Sequence, residues 1–223
     1  MKNILPDRLC FDRLLSWRVS ATAVWSLLAI VLLMGAPASA HHPSGGNTPI
    51  TFVQGFLSGV GHPVIGLDHL AFVIAVGLLA AVLSRGLWVP IAFVLATVAG
   101  TGVHLAELNL PAPELVISVS VLLFGALAVV RNRLNAVVVV LLAAIAGVFH
   151  GYAYGEAVVG AEATPLVAYL IGFAGVQGVI AYLSYFLAQR AVNKDQNSGL
   201  ISVRHAGFMI LGAGAAFLGG LVA

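Results

Sequence analysis

Apolar stretches of close to 20 residues recur along the 223-residue chain, and they constrain its fold more than any other feature. About 20 apolar residues in a helix span the hydrocarbon core of a bilayer. The stretches lie at residues 64–84, 88–108, 114–131, 134–153, 165–189 and 204–222. The sequence therefore predicts an all-α membrane protein with six transmembrane helices.

The overall composition argues against the soluble classes of protein. Hydrophobic residues make up 61% of the chain and charged residues only 8%, whereas a soluble domain is about 45–50% apolar and about 25% charged. A soluble fold of this size could not bury so much apolar surface. We therefore expect a lipid bilayer as the partner, and neither a soluble enzyme nor a nucleic-acid-binding protein.

Residues 1–40 have the features of a cleavable secretory signal peptide. A basic stretch ends at Arg18, an apolar stretch of modest length follows, and Ala38-Ser39-Ala40 matches the small-x-small cleavage pattern. The alternative is a retained anchor helix. Both interpretations place residue 41 outside the cytoplasm.

Cleavage after Ala40 would leave an extracytoplasmic tail, residues 41–49, that begins with His41 and His42. A free α-amine beside an imidazole is a chelating pair for borderline metal ions. The alternative is a polar tail with two incidental histidines. The tail precedes a transmembrane domain at residues 50–223.

The charges of this domain separate onto two sides if the six helices alternate in direction. All cations fall in the first, third and fifth connections: Arg85, Arg131, Arg133, Arg190, Lys194 and Arg204. In the second and fourth connections every charged residue is acidic: Glu107, Glu114, Glu156 and Glu162. Because basic loops stay in the cytoplasm, we expect a multi-pass protein of the bacterial inner membrane with both mature termini in the periplasm.

Residues 50–61 are apolar but too short to cross. As a helix they reach about 18 Å, against a hydrocarbon core of about 30 Å. We expect a short interfacial or re-entrant segment at the outer face. Gly55 and Gly59 give it a small-residue face for close helix contact.

The first predicted transmembrane helix begins with ionisable residues, which cost about 2.5–3.5 kcal/mol each near the bilayer centre. His62 precedes Pro63, which suits a first helical position. His69 lies seven residues after His62 and so nearly on the same helix face. Asp68 is either a third ligand or an acceptor for an imidazole N–H.

Further histidines lie near the outer ends of the second and fourth helices. His104 is followed by Glu107, and His150 is followed by Tyr154 and Glu156. Each histidine alone could simply hydrogen-bond a neighbouring helix. Together they predict a metal site near the outer face, formed by His62, Asp68, His69, His104 and His150, with Glu107, Tyr154, Glu156, His41 and His42 as possible secondary ligands.

At these residues the chain resembles the HupE/UreJ family of bacterial nickel and cobalt permeases. The match is HPVIGLDH at residues 62–69 and FHGYAYGE at residues 149–156. The family usually has a second histidine where this chain has Tyr154. The resemblance implies a permease domain that takes up a divalent metal across the inner membrane, with His62, Asp68 and His69 as the motif positions.

We therefore expect secondary transport rather than catalysis, with no permanently bound cofactor. Imidazole and carboxylate ligands without thiolate favour Ni²⁺ or Co²⁺, and also Zn²⁺, over Cu⁺. A dication moving inward gains about 4.6 kcal/mol per 100 mV of membrane potential. The only obvious polar steps in the inner half are Thr97, Ser118, Ser120 and Gln177.

Two other classes of function fit the same residues. A membrane-embedded zinc-dependent hydrolase would also gather histidines and an aspartate at one depth. A non-transporting metal-binding accessory protein would bind the ion without moving it. A homo-oligomer is possible in each case.

Overall fold

The computed structural model describes residues 48–130 and 134–221, and within them every regular element is helical. The seven α-helices are α1 Phe52–Ile65, α2 Leu67–Val82, α3 Trp88–Leu105, α4 Pro113–Val129, α5 Ala136–Gly155, α6 Ala163–Lys194 and α7 Gln196–Gly220. A short 3₁₀ turn, Glu156–Val158, follows α5. The all-α prediction is confirmed. The predicted signal peptide, His41 and His42, together with Arg131 and Arg133, lie outside the described residues.

Each of the six predicted segments coincides with a helix, but the predicted loop between the last two is wrong. The helix α6 continues to Lys194 and α7 begins at Gln196, so Arg190 and Arg204 are helical. With 32 residues, α6 is about 48 Å long. It exceeds the bilayer core, and its charged end can therefore stay helical outside the hydrocarbon.

Asp195 makes the break between α6 and α7. Its carboxylate accepts a hydrogen bond from the Ser198 hydroxyl at 2.6 Å and from the Asn197 N–H at 3.1 Å. Both bonds favour the ionised form and lower the pKa of the Asp195 carboxyl. Asp195 is therefore the N-cap of α7.

Four helices are long and apolar enough to cross a bilayer, namely α3, α5, α6 and α7. The bent pair α1 and α2 adds a fifth if it counts as one span, and α4 is apolar but only 17 residues long. Large apolar side chains are exposed on the outer surface of these helices, among them Leu95, Leu141, Ile171 and Leu187. This surface fits lipid rather than water, so the chain is a helical membrane protein.

A bend of 78° separates α1 from α2 at Gly66. The prediction that Pro63 opens the first membrane helix is wrong, because His62 and Pro63 lie inside the last turn of α1 and α2 begins at Leu67. A Cβ on Gly66 would lie 2.6 Å from the Cδ2 atom of His69. A residue with a Cβ at this position would therefore force the imidazole to move.

The helix α2 is the centre of the bundle. It packs against α1, α3, α4, α6 and α7. Its buried residues lie on nearly every face and run almost without interruption from Ala71 to Ala80. A helix that is apolar all round is typically buried in this way, so α2 has little contact with lipid.

Glycines allow the other helices to pack backbone to backbone. A Cβ on Gly55 or Gly59 would overlap the carbonyl of Pro165 or Tyr169, so the predicted small-residue face of α1 packs against α6. Gly212, in contrast, has no neighbour within 4 Å among the described residues and faces outward.

These contacts also fix the helix directions. In the α3–α5 pair, Gly151 lies beside Thr97 and Gly155 beside His104, so the two helices are parallel. In the same way α1 and α6 are parallel, whereas α4 and α7 are antiparallel. One end of the bundle therefore holds the starts of α2, α4 and α6 and the ends of α3 and α5. The exposed acidic residues flank these ends: Glu107, Glu114, Glu156 and Glu162.

Candidate metal-binding site

Three buried histidines meet at the acidic end of the bundle, and we call them the histidine cluster: His62, His69 and His150. The ring centroids of His62 and His69 are 5.8 Å apart, and those of His69 and His150 are 4.9 Å apart. In a straight helix, a seven-residue spacing would separate the Cα atoms of His62 and His69 by about 10.5 Å. The predicted shared helix face is therefore wrong, and the bend at Gly66 brings the two rings together instead.

Hydrogen-bond chemistry defines which nitrogen of His150 and His69 carries the proton. The single hydroxyl hydrogen of Ser120 goes to the Ile117 carbonyl at 2.7 Å, so its oxygen accepts from Nε2–H of His150 at 3.0 Å. A neutral His150 then accepts at Nδ1 from Nδ1–H of His69, at 2.7 Å. A neutral His69 consequently carries its lone pair on Nε2.

The same reasoning applies to His62. The Tyr169 hydroxyl donates its hydrogen to the Tyr154 carbonyl at 2.8 Å. Its oxygen therefore accepts from Nδ1–H of His62 at 2.9 Å. A neutral His62 also carries its lone pair on Nε2. Metal-ligating imidazoles usually donate their other N–H to a protein acceptor in this way.

Tyr154 lies against both of these imidazoles. Its ring centroid is 4.9 Å from that of His62 and 4.6 Å from that of His69. The side chain is fully buried, and its hydroxyl has no hydrogen-bond partner among the described residues. A buried hydroxyl without a partner costs free energy, so this oxygen is a candidate ligand.

Asp68 supplies negative charge at the same place. It is half-buried in the first turn of α2, where a carboxylate is favoured by the helix dipole. Its Oδ1 accepts the backbone N–H of His69 at 2.8 Å, and it lies within electrostatic range of the Tyr154 hydroxyl. The carboxylate can therefore attract a cation to the cluster.

The spacing of His62 and His69 is compatible with one shared ion. With metal–nitrogen bonds of about 2.0–2.1 Å, and roughly 1.1 Å from nitrogen to ring centre, two imidazoles on one ion have centroids roughly 4.5–6.4 Å apart. The observed 5.8 Å falls inside this range. Within residues 48–130 and 134–221, however, no three His, Cys, Asp or Glu side chains form a ready-made metal cage.

Among the described residues, three further predicted ligands contact other groups or solvent: His104, Glu107 and Glu156. The ring of His104 packs on Tyr152 with centroids 4.5 Å apart, and its buried Nδ1 has no partner in the described part of the chain. Glu107 and Glu156 are exposed. Their positions suit the mouth of a site better than its interior.

Sequence reasoning missed the two residues that orient the histidines. Ser120 was expected on the inner path, but its hydroxyl contacts His150. Tyr169 was not singled out, although its hydroxyl contacts His62 across 107 residues of sequence. A tyrosine near the start of a largely apolar helix is an available signal, because its buried hydroxyl needs a partner.

Comparison with known proteins agrees with the residue pattern. A family model described as HupE / UreJ protein matches residues 28–217. Protein HupE of Rhizobium leguminosarum bv. viciae is 30% identical over 190 residues, which cover 84% of this chain and 94% of that protein. No solved structure matches the chain.

Proposed function

The chain belongs to the HupE / UreJ family, and from that membership we propose that it is a secondary transporter that takes up Ni²⁺ or Co²⁺ across the bacterial inner membrane. The observation that carries the proposal is the meeting of His62 and His69 beside Tyr154. Imidazole nitrogens suit these borderline ions.

Each residue of the site has a distinct part in the proposal. His62 and His69 bind the ion through Nε2, and the Tyr154 hydroxyl supplies an oxygen ligand. Asp68 partly neutralises the charge of the dication. His150 orients His69 through the 2.7 Å bond between their Nδ1 atoms.

A transport site differs from a structural metal site because the ion must leave it again. An ion held by two imidazoles and weaker oxygen ligands binds less tightly than one in a closed cage of three or four strong donors. The described residues hold no such cage. With two imidazoles and weaker oxygen ligands, the proposed site suits a cargo ion.

The membrane potential supplies the driving force. We place the acidic end of the bundle in the periplasm, because the cations Arg190 and Lys194 lie in the opposite end of α6. A dication that enters at the acidic end and leaves at the basic end gains about 4.6 kcal/mol per 100 mV. No nucleotide hydrolysis is then required.

Uptake and binding should be measured together on one set of variants. His62→Ala and His69→Ala are compared with the parent in proteoliposomes with an inside-negative potential, and Ni²⁺ affinity is measured by calorimetry in detergent. His205→Ala is the matched control, because His205 is exposed on α7. We expect both cluster variants to lose at least tenfold in affinity and uptake, and the control to match the parent.

Other outcomes would reject the proposal in specific ways. Unchanged uptake in both cluster variants would place the site elsewhere. A parent that binds Ni²⁺ but never moves it would be a metal-binding accessory protein. Competition among Ni²⁺, Co²⁺ and Zn²⁺ in the same assay identifies the preferred ion.

A further inference from the structure

Three buried polar side chains lie together between α3, α5 and α6: Thr97, Tyr154 and Gln177. Thr97 and Gln177 are in contact, with 3.2 Å between Oγ1 and the amide of Gln177. Gln177 lies eight residues beyond Tyr169 along α6, or about 12 Å deeper in the bundle. The group therefore extends inward from the histidine cluster.

Two polar positions of this group have no hydrogen-bond partner in the described residues, namely the Tyr154 hydroxyl and the position of the Gln177 amide that is assigned to Nε2. Both side chains are fully buried, so each unmade bond costs free energy. The two side chains lie near enough to interact, although not in hydrogen-bonding geometry.

The Thr97 hydroxyl determines how the Gln177 amide is oriented. Its one hydrogen goes to the Val94 carbonyl at 2.7 Å, so at the longer 3.2 Å contact its oxygen can only accept. The NH₂ group of Gln177 must therefore face Thr97. The amide oxygen then occupies the unpartnered position of the amide, on the Tyr154 side.

We propose that Gln177, with Tyr154, forms an oxygen-donor station that takes the ion from the histidines on its way into the membrane interior. This inference rests on the proposed transport function. Neutral oxygens replace part of the hydration shell of a cation, as backbone carbonyls do in ion-selective pores. They bind Ni²⁺ and Co²⁺ less tightly than imidazole does, so the ion passes through without being trapped.

Gln177→Leu tests the station, because leucine is similar in size and has no oxygen. Uptake of Ni²⁺ is measured in proteoliposomes and equilibrium Ni²⁺ binding in detergent. We expect the maximal uptake rate to fall at least tenfold while the Kd changes less than twofold. The matched control is Thr101→Val, which also removes a buried polar group, but one whose hydroxyl bonds to the carbonyls of Thr97 and Gly151.

A second variant keeps the test decisive if Gln177→Leu does not fold. Gln177→Asn retains the amide but withdraws its oxygen by one methylene, and we expect an intermediate loss of uptake. Parent-like uptake in the folded variants would overturn the station, and so would a parallel loss of binding, because Gln177 would then belong to the histidine site. If the parent itself moves no Ni²⁺, the proposed function fails and the station with it.

Discussion

Replacing Tyr169 by phenylalanine removes one hydroxyl group and almost nothing else. That hydroxyl accepts the Nδ1–H of His62 at 2.9 Å and donates to the Tyr154 carbonyl at 2.8 Å. In Tyr169→Phe the His62 ring loses its fixed tautomer, and either nitrogen can then carry the proton. The lone pair is then no longer fixed on Nε2.

The size of the effect follows from the burial of the pair. A buried donor left without an acceptor costs about 1–3 kcal/mol. With about 1.4 kcal/mol per tenfold change in affinity, this corresponds to about 5- to 150-fold. Loss of the partner that orients a ligating histidine typically weakens metal binding about 10- to 100-fold. We expect a Ni²⁺ Kd that is 10–100 times higher, within both ranges.

The measurement is calorimetric Ni²⁺ titration of purified Tyr169→Phe in detergent. Tyr182→Phe serves as the control, since Tyr182 is on the same helix but is 56% exposed. Stoichiometry per mole of folded protein separates weaker binding from loss of folded molecules. A Kd within twofold of both the parent and the control would refute the role of Tyr169 in orienting His62.

Three further substitutions, two of them with matched controls, probe the site and the packing around it. Ser120→Ala removes one hydrogen bond, worth about 0.5–1.5 kcal/mol, and should weaken Ni²⁺ binding by about 2- to 12-fold. The control Ser118→Ala, which is buried on the same helix, should leave the Ni²⁺ affinity unchanged. Equal effects of the two substitutions would contradict the proposal that Ser120 orients His69 through His150. Gly66→Ala places a methyl group 2.6 Å from an imidazole carbon and should lower Ni²⁺ affinity at least tenfold; parent-like affinity would argue against the close turn. Gly59→Ala overlaps a backbone carbonyl and should cost about 1–3 kcal/mol, seen as a lower melting temperature. Gly212→Ala adds its methyl group in open space and should have the melting temperature of the parent. A similar decrease in melting temperature in Gly59→Ala and Gly212→Ala would disprove the packing argument.

The helical architecture could be predicted from the sequence, because the length of each apolar stretch and the charges beside it are local properties of the chain. Each predicted segment coincides with a helix, and the acidic residues flank one end of the bundle. The predicted break between the last two helices was wrong. The polar stretch around Arg190 and Arg204 is consistent with either a loop or a protruding helix, and Asp195 alone ends α6.

The motif histidines were also predictable, but their geometry was not. Periodicity assumes a straight helix, whereas one glycine at position 66 divides the motif between two helices. The partners of the histidines come from α4 and α6, through Ser120 and Tyr169. Contacts over such sequence distances depend on how the helices pack, which no local pattern encodes.

The central position of α2 has a consequence for hydrophobic mismatch. With 16 residues it is about 24 Å long, shorter than the roughly 30 Å hydrocarbon core of a typical bilayer. A lipid-facing helix of that length would be mismatched to the bilayer, which costs free energy through thinning, snorkelling or oligomerisation. Neighbouring helices surround α2, so α2 does not have to match the thickness of the lipid. That match is left to the longer lipid-facing helices such as α6.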